Sequence, residues 1–289
     1  MKQAEASESL WSDARRSLAR NRAAMVAAGL LLLITLSCIA GPWLSPHDYA
    51  ATDWDRIAAP PALERAHLFG TDTLGRDLLV RTLHGGRISL LVGLVATLVS
   101  LLIGISWGAI AGYMGGRVDQ VMMRIVDILY ALPFMFLVIL LMVLFGRNII
   151  LIFVAIGAIN WLDMARIVRG QTLSLKEREF IEAARAGGVS GPRIILRHIV
   201  PNLLGVVAVY VTLTIPQVIL VESFLSFLGL GVQEPMTSWG ALVNEGAQEM
   251  ETAPWMLLFP ATFLALTLFC FNFLGDGLRD ALDPRDRRD

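Results

Sequence analysis

Charge is the scarce ingredient of this 289-residue chain. Asp, Glu, Lys and Arg make up 17% of it and hydrophobic residues 55%, whereas soluble domains carry about a quarter charged residues. Cysteine is nearly missing. Cys38 and Cys270 both lie inside apolar runs, which excludes a disulfide-built secreted scaffold and reads as two small buried hydrophobes. The four histidines, at 47, 67, 84 and 198, are too scattered along the chain to predict a metal cluster, and neither CxxC nor HExxH occurs. A GxxxxGK[ST] phosphate cradle is also missing, so an energy source must come from a partner or an ion gradient. Twenty-four basic residues face twenty-five acidic ones, for a net charge of −1. That balance offers no basic field for nucleic acid.

What the chain does contain is uncharged length. Residues 23–46, 88–116, 128–146, 199–221 and 252–275 hold no Asp, Glu, Lys or Arg, and the mean hydropathy is +0.62. About 20 apolar residues suffice to cross roughly 30 Å of hydrocarbon. A shorter run, 148–162, includes Asn148 and Asn160 and reaches that length only if the helix continues through Asp163, Met164 and Ala165. The runs are too continuous for the alternating strands of an outer-membrane barrel. The expected fold is an all-α integral membrane protein with six transmembrane helices, the first at about 24–44.

Lys and Arg set the orientation. An inner amino terminus puts eighteen of the twenty-four inside, in 1–22, 117–124, 166–197 and 279–288. Arg56, Arg65, Arg76, Arg81, Arg87 and Arg147 fall outside. Both termini are therefore expected in the cytoplasm. The organisation expected is a cytoplasmic segment 1–22, a first span 23–46, a periplasmic segment 47–87, a five-helix core 88–275 and a cytoplasmic tail 276–289. Within the core lie an inner loop, 166–202, and an outer loop, 229–254.

Several residues in or near the spans stand out. Gly104, Gly108, Gly112 and Gly116 recur every four residues, which puts them on one helix face and predicts a close crossing. Pro133, Pro216 and Pro260 each remove a backbone donor and can bend a helix. Glu222 sits at the outer end of the fifth run, where a carboxylate either lines a path or marks the boundary. Arg124 and Asp127 have the spacing of an i,i+3 pair. Asp72, Arg76 and Asp77 read as a charge network bracing the loop before the second span.

The inner loop carries EFIEAARAGGVSGPRIILRHIVPN, from Glu179 to Asn202. Residues 176–186 read as a short amphipathic helix stopped by Gly187 and Gly188. A second piece, about 191–199, has Pro192 near its start and is expected to end before Pro201. A charged connector would not need this helix-turn-helix.

Glu182, Ala183, Ala184 and Gly188, with Ile199 and Pro201 closing the pattern, resemble the EAA motif of bacterial ABC-importer permeases. FGTDTLGRD at 69–77, GGRISL at 85–90, FLSFLGLG at 224–231, EP at 234–235, SWG at 238–240 and FNFLGDGLRDALDP at 271–284 resemble the C-type permeases of dipeptide and oligopeptide importers. The likeness runs from residue 11 to 284. It implies a MetI-like permease core in a multi-pass protein of the cell inner membrane. In that family the loop docks on the cytoplasmic ATPase.

The resemblance further implies partners: a homologous second permease subunit, two ABC ATPase subunits that bind ATP and Mg, a periplasmic peptide-binding protein, the peptide and membrane lipid. No cofactor and no catalytic site are expected in this chain. Phe180, Glu182, Ala183, Ala184, Arg185, Gly188 and Pro201 are the expected coupling residues. Glu222, Glu234, Glu245 and Glu249 are candidates for contact with the pathway or the binding protein. A permease for nickel or another small solute is the alternative reading. An intramembrane enzyme lacks its nucleophile, base or metal ligands, and an ion-driven carrier would place coupling carboxylates at the midplane, where the clear spans are almost empty of charge.

Overall fold

A computed structural model describes residues 15–62, 67–146 and 149–282. Arg65, Arg147, Asn148, the first fourteen residues and the last seven lie outside the described residues. Apart from two isolated β-bridges, Ala62–His67 and Thr71–Asp77, the regular structure described is helical. Helix α1 spans Arg22–Leu44, and the Asn21 side chain caps it by accepting from the Ala24 N–H at 3.1 Å. Helix α2 spans Leu78–Met114, ten residues longer at its start than the uncharged run. Its start is fixed by Asp77, whose carboxylate accepts from the Val80 N–H at 2.9 Å.

Helices α3 (Gly116–Ala131) and α4 (Phe134–Phe145) correct the third expected span. The run 128–146 is not one helix; the two pieces meet at 82°. Pro133 explains the break: it disfavours helical geometry in the preceding residue, and Leu132 is extended at φ −74°, ψ 136°. The twelve residues of α4 extend only about 18 Å. Among the described residues, four helices are long and apolar enough to cross a membrane: α1, α2, the Gly191–Phe227 rod and Trp255–Leu282. The α3–α4 pair makes a fifth if it counts as one bent span.

Helix α5 (Ile149–Leu175) runs without interruption past Asp163, and α2 with α5 forms the most extensive helix pair. Gly157 faces Val99, Gly104 faces Met164, Gly108 faces Ala165 and Val168, and Gly112 faces Thr172. The numbers climb together, so the two helices are parallel. Three of the four stripe glycines therefore make the expected close crossing. Gly116 does not: it lies beyond the end of α2, at φ +54° with open space where a Cβ would stand. The chain reverses there because Gly115 and Gly116 both take left-handed backbone.

Beyond α5 come α6 (Glu179–Ala186), α7 (Gly191–Ile194) and α8 (Val200–Phe227). The expected stop before Pro201 does not occur. Residues Ile195–Ile199 form a π-turn in which the Val200 N–H donates to the Ile195 carbonyl. This widened turn relieves the local ladder just where proline has no N–H to offer, and α7 passes into α8 as one rod. Helices α9 (Trp239–Gln248) and α10 (Trp255–Leu282) complete the fold. Gly277, near the end of α10, packs on Ala24 and Leu18. Gly86, near the start of α2, packs on Cys38. The amino-terminal end of α1, the end of α10 and the α6–α7 pair thus share one end of the bundle, and α9 sits at the other.

Candidate coupling and gating sites

At the first end, α6 is held by its one buried residue, Ile181, which packs with Ile194, Ile199 and Leu203 against Ala109, Met164 and Val168. This apolar core ties the loop to α2, α5 and α8 together. The turn after α6 closes as a Schellman motif: the Gly188 N–H donates to the Arg185 carbonyl at 2.9 Å and the Val189 N–H to the Ala184 carbonyl at 3.0 Å. Gly188 supplies the required left-handed residue at φ +77°.

Phe180, Glu182, Ala183, Arg185 and Pro201 are exposed, and Ala184 is half-buried. The Arg185 guanidinium lies over the Tyr113 ring at 5.0 Å, which fixes it to α2. Leu196, 69% exposed, joins Phe180 as an uncovered apolar side chain. The helical period alone did not separate Leu196 from its buried neighbours, because the π-turn shifts the face it occupies.

Ion pairs tie α3 to α5. Asp119 accepts from Arg169 at 2.5 and 2.6 Å, and Asp127 from Arg166 at 2.9 Å. The expected Arg124–Asp127 pair is replaced by this interhelical one. Arg166 also stacks over Tyr130 at 4.3 Å, which holds its charge towards Asp127 and away from its own helix surface.

At the opposite end a charge cluster joins segments some 160 residues apart. Asp72, with no exposed surface, accepts from Arg76 Nε at 2.6 Å and lies 3.2 Å from Arg81 Nη1. Arg76 donates to Glu234 at 3.0 Å, and Arg81 reaches both oxygens of Glu245 at 3.0 and 3.1 Å. Burial opposes the charge on Arg76, yet hydrogen bonds and attraction from Asp72 and Glu234 keep its pKa above the usual value. Burial pushes the Glu245 carboxyl up against the pull of Arg81 and Arg76.

The network expected around Asp72 and Arg76 is present and is larger than the local motif indicated. Asp77 belongs elsewhere: it accepts from His67 at 2.8 Å, and His67 in turn meets Arg56 at 2.9 Å. His47 stacks on His67 at 4.5 Å, so chain folding gathers two histidines that spacing had scattered. Glu249 is half-buried, and its carboxylate accepts from the Thr252 hydroxyl at 2.6 Å.

Glu222 of α8 is fully buried. It accepts from Ser89 of α2 at 2.9 Å and from Ser226 at 2.7 Å, and Ser226 is joined by Ser238 at 3.1 Å. Ser89 also accepts from the Trp239 N–H at 3.2 Å, and Ser238 caps α9. The carboxylate thus pins three helices at one point and does not open onto a surface in this conformation. Gly85 and Gly86 permit the contact by letting Ser238 and Trp239 approach α2.

Long apolar helices, an exposed two-helix loop at one end and a charge-locked cap at the other define a multi-pass membrane protein. The chain belongs to the family described as binding-protein-dependent transport system inner membrane components, whose model matches residues 104–288. Residues 9–61 match the N-terminal transmembrane domain of oligopeptide transport permease C. Among its relatives is the oligopeptide transport system permease protein OppC of Escherichia coli K12, 62% identical over 96% of this chain and 92% of that protein. Another is the dipeptide transport system permease protein DppC of Bacillus subtilis, 48% identical over 96% of this chain and 86% of that protein. A chain of the MetNI methionine ABC transporter, solved in inward-facing conformations, shares the fold. Its TM-score is 0.55 at 21% identity, covering 71% of this chain and 96% of that one. Apolar span length and this family together place the protein in the inner membrane.

Proposed function

We propose that the chain is the permease subunit of an ATP-driven oligopeptide or dipeptide importer. It would form half of the translocation path, and the ATP would be hydrolysed by other subunits. The observation that carries this reading is the α6–α7 pair: one side is locked into the helix core through Ile181 and Ile194, and the other presents Phe180, Glu182 and Leu196. Such a piece can pass a push from a docked protein to α2, α5 and α8 at once. The peptide assignment follows the names of the relatives, which cover nearly the whole chain. Import of nickel or another small solute is the alternative.

The partners proposed are a homologous permease subunit, two ATPase subunits with ATP and Mg, and a periplasmic binding protein delivering peptide. Six spans are proposed, with α5 as the fourth. Its parallel course beside α2 means that the chain between them must return across the same thickness, and only the bent α3–α4 pair is available to do so. Both termini and 166–202 are assigned to the cytoplasm. The segments 47–87 and 229–254 are assigned to the periplasm, and Glu234 and Glu249 to contact with the binding protein. Glu222 and Glu245 are assigned to holding the outer end of the path.

The test is purification of the native complex, identification of its subunits and uptake of defined peptides. ATPase subunits should copurify, and peptide should be transported. Recovery without any ATPase would reject the coupling role. Gly188→Val puts a branched side chain at a left-handed position, a local strain of about 1–2 kcal/mol. It should insert normally while ATP hydrolysis no longer drives uptake; unchanged uptake would show that the turn at Gly188 has no part in coupling.

A further inference from the structure

Asp163 is the one acidic residue between Ile149 and Leu175. It is exposed and has no ion-pair partner among the described residues. Its depth can be read from its neighbours. Met164 packs on Gly104, within the uncharged run 88–116, and the inner segment begins one turn further on, at 166, so the carboxylate lies within the apolar span towards its inner end. A carboxylate facing lipid there is costly. It must instead face water or protein.

The surface around it is a cleft of 240 Å³ at the break between α3 and α4, lined by Leu129, Tyr130, Leu132, Leu137, Asn160 and Asp163 among others. Asn160 and Asp163 stand three residues apart on the same face of α5. The Asn160 amide nitrogen donates to the Ile156 carbonyl at 2.9 Å, which leaves its oxygen as an acceptor. The nearby Arg166 is already engaged by Asp127 and Tyr130. The cleft therefore offers two oxygen acceptors, one of them a carboxylate without an ion-pair partner among the described residues, set among leucines and Tyr130.

We propose that this cleft binds the α-ammonium end of the transported peptide as it passes the inner part of the membrane, with Asp163 as counter-ion and Asn160 as second acceptor. An ammonium group answers the charge and both acceptors, and the leucines suit the first side chain. The volume is below the roughly 300 Å³ at which pockets enclose drug-sized molecules, so the cleft holds one end of a peptide and not its whole length. The proposal rests on the peptide-importer reading.

The complete transporter with its binding protein, in proteoliposomes, is assayed with trialanine and N-acetyl-trialanine, each loaded on the binding protein at saturation. Losing a hydrogen-bonded charge pair should cut trialanine uptake about tenfold or more in Asp163→Asn, with little change for the acetylated peptide. Asp163→Glu should retain most of the uptake, and Asn160→Ala should show a smaller loss with the same selectivity. Trialanine uptake by Asp163→Asn equal to wild type, or an equal loss for both peptides, would overturn the site. So would failure of Asp163→Asn to assemble with the other subunits, because the carboxylate would then be a subunit contact. A wild-type complex that imports no peptide would instead refute the importer reading itself.

Discussion

Asp72 holds two guanidinium groups with no surface of its own exposed. Such a group is costly to desert, because removing it leaves buried charges unmatched. Asp72→Ala should therefore lower stability by about 3–5 kcal/mol, read as thermal unfolding in detergent. Asp53→Ala removes an exposed pair to Arg56, and should lower it by about 1 kcal/mol or less. A similar loss in both would mean that the cap is not locked by buried charge. TDTLGRD announces Asp72 and Arg76 as a unit, because they lie four residues apart. Arg81, Glu234 and Glu245 could not be joined to that unit from spacing, since two of them stand about 160 residues away and any of the external acids would have served equally well on paper.

At the scale of elements, glycine decides how close two helices come. A Cβ at Gly108 would collide with the Ala165 carbonyl oxygen, whereas one at Gly170 on α5 would meet nothing within 4 Å. Gly108→Ala should cost about 1–3 kcal/mol through overpacking. Gly170→Ala should be neutral or stabilising by up to about 1 kcal/mol, the gain in helix propensity. Equal effects would show that α2 and α5 are not in close contact. The four-residue period made this crossing legible for Gly104, Gly108 and Gly112. It failed at Gly116 because a period says nothing about where the helix stops. Proline behaved in the same divided way: Pro133 breaks its helix, while Pro201 follows a π-turn that absorbs it.

For the whole molecule, the claim open to direct test is which end faces inward. Single cysteines at Thr52 and Gln248 should react with an impermeant thiol reagent in intact spheroplasts. Ser17→Cys and Ser190→Cys should react only after permeabilisation. The native Cys38 and Cys270 are buried, which keeps the background low. Labelling of Ser190→Cys from outside would invert the orientation and remove the coupling scheme.

The solvent of this protein was decided by its amino-acid order alone. Uncharged length is a local property, and a bilayer reads it locally. The same holds for the glycine stop after α6. The partners of buried charges were settled only in the folded chain, as were the pinning of Glu222 by three helices and the cleft beside Asp163. Those depend on which helices lie side by side, and that choice is made by packing between residues far apart in the chain, which no periodicity records.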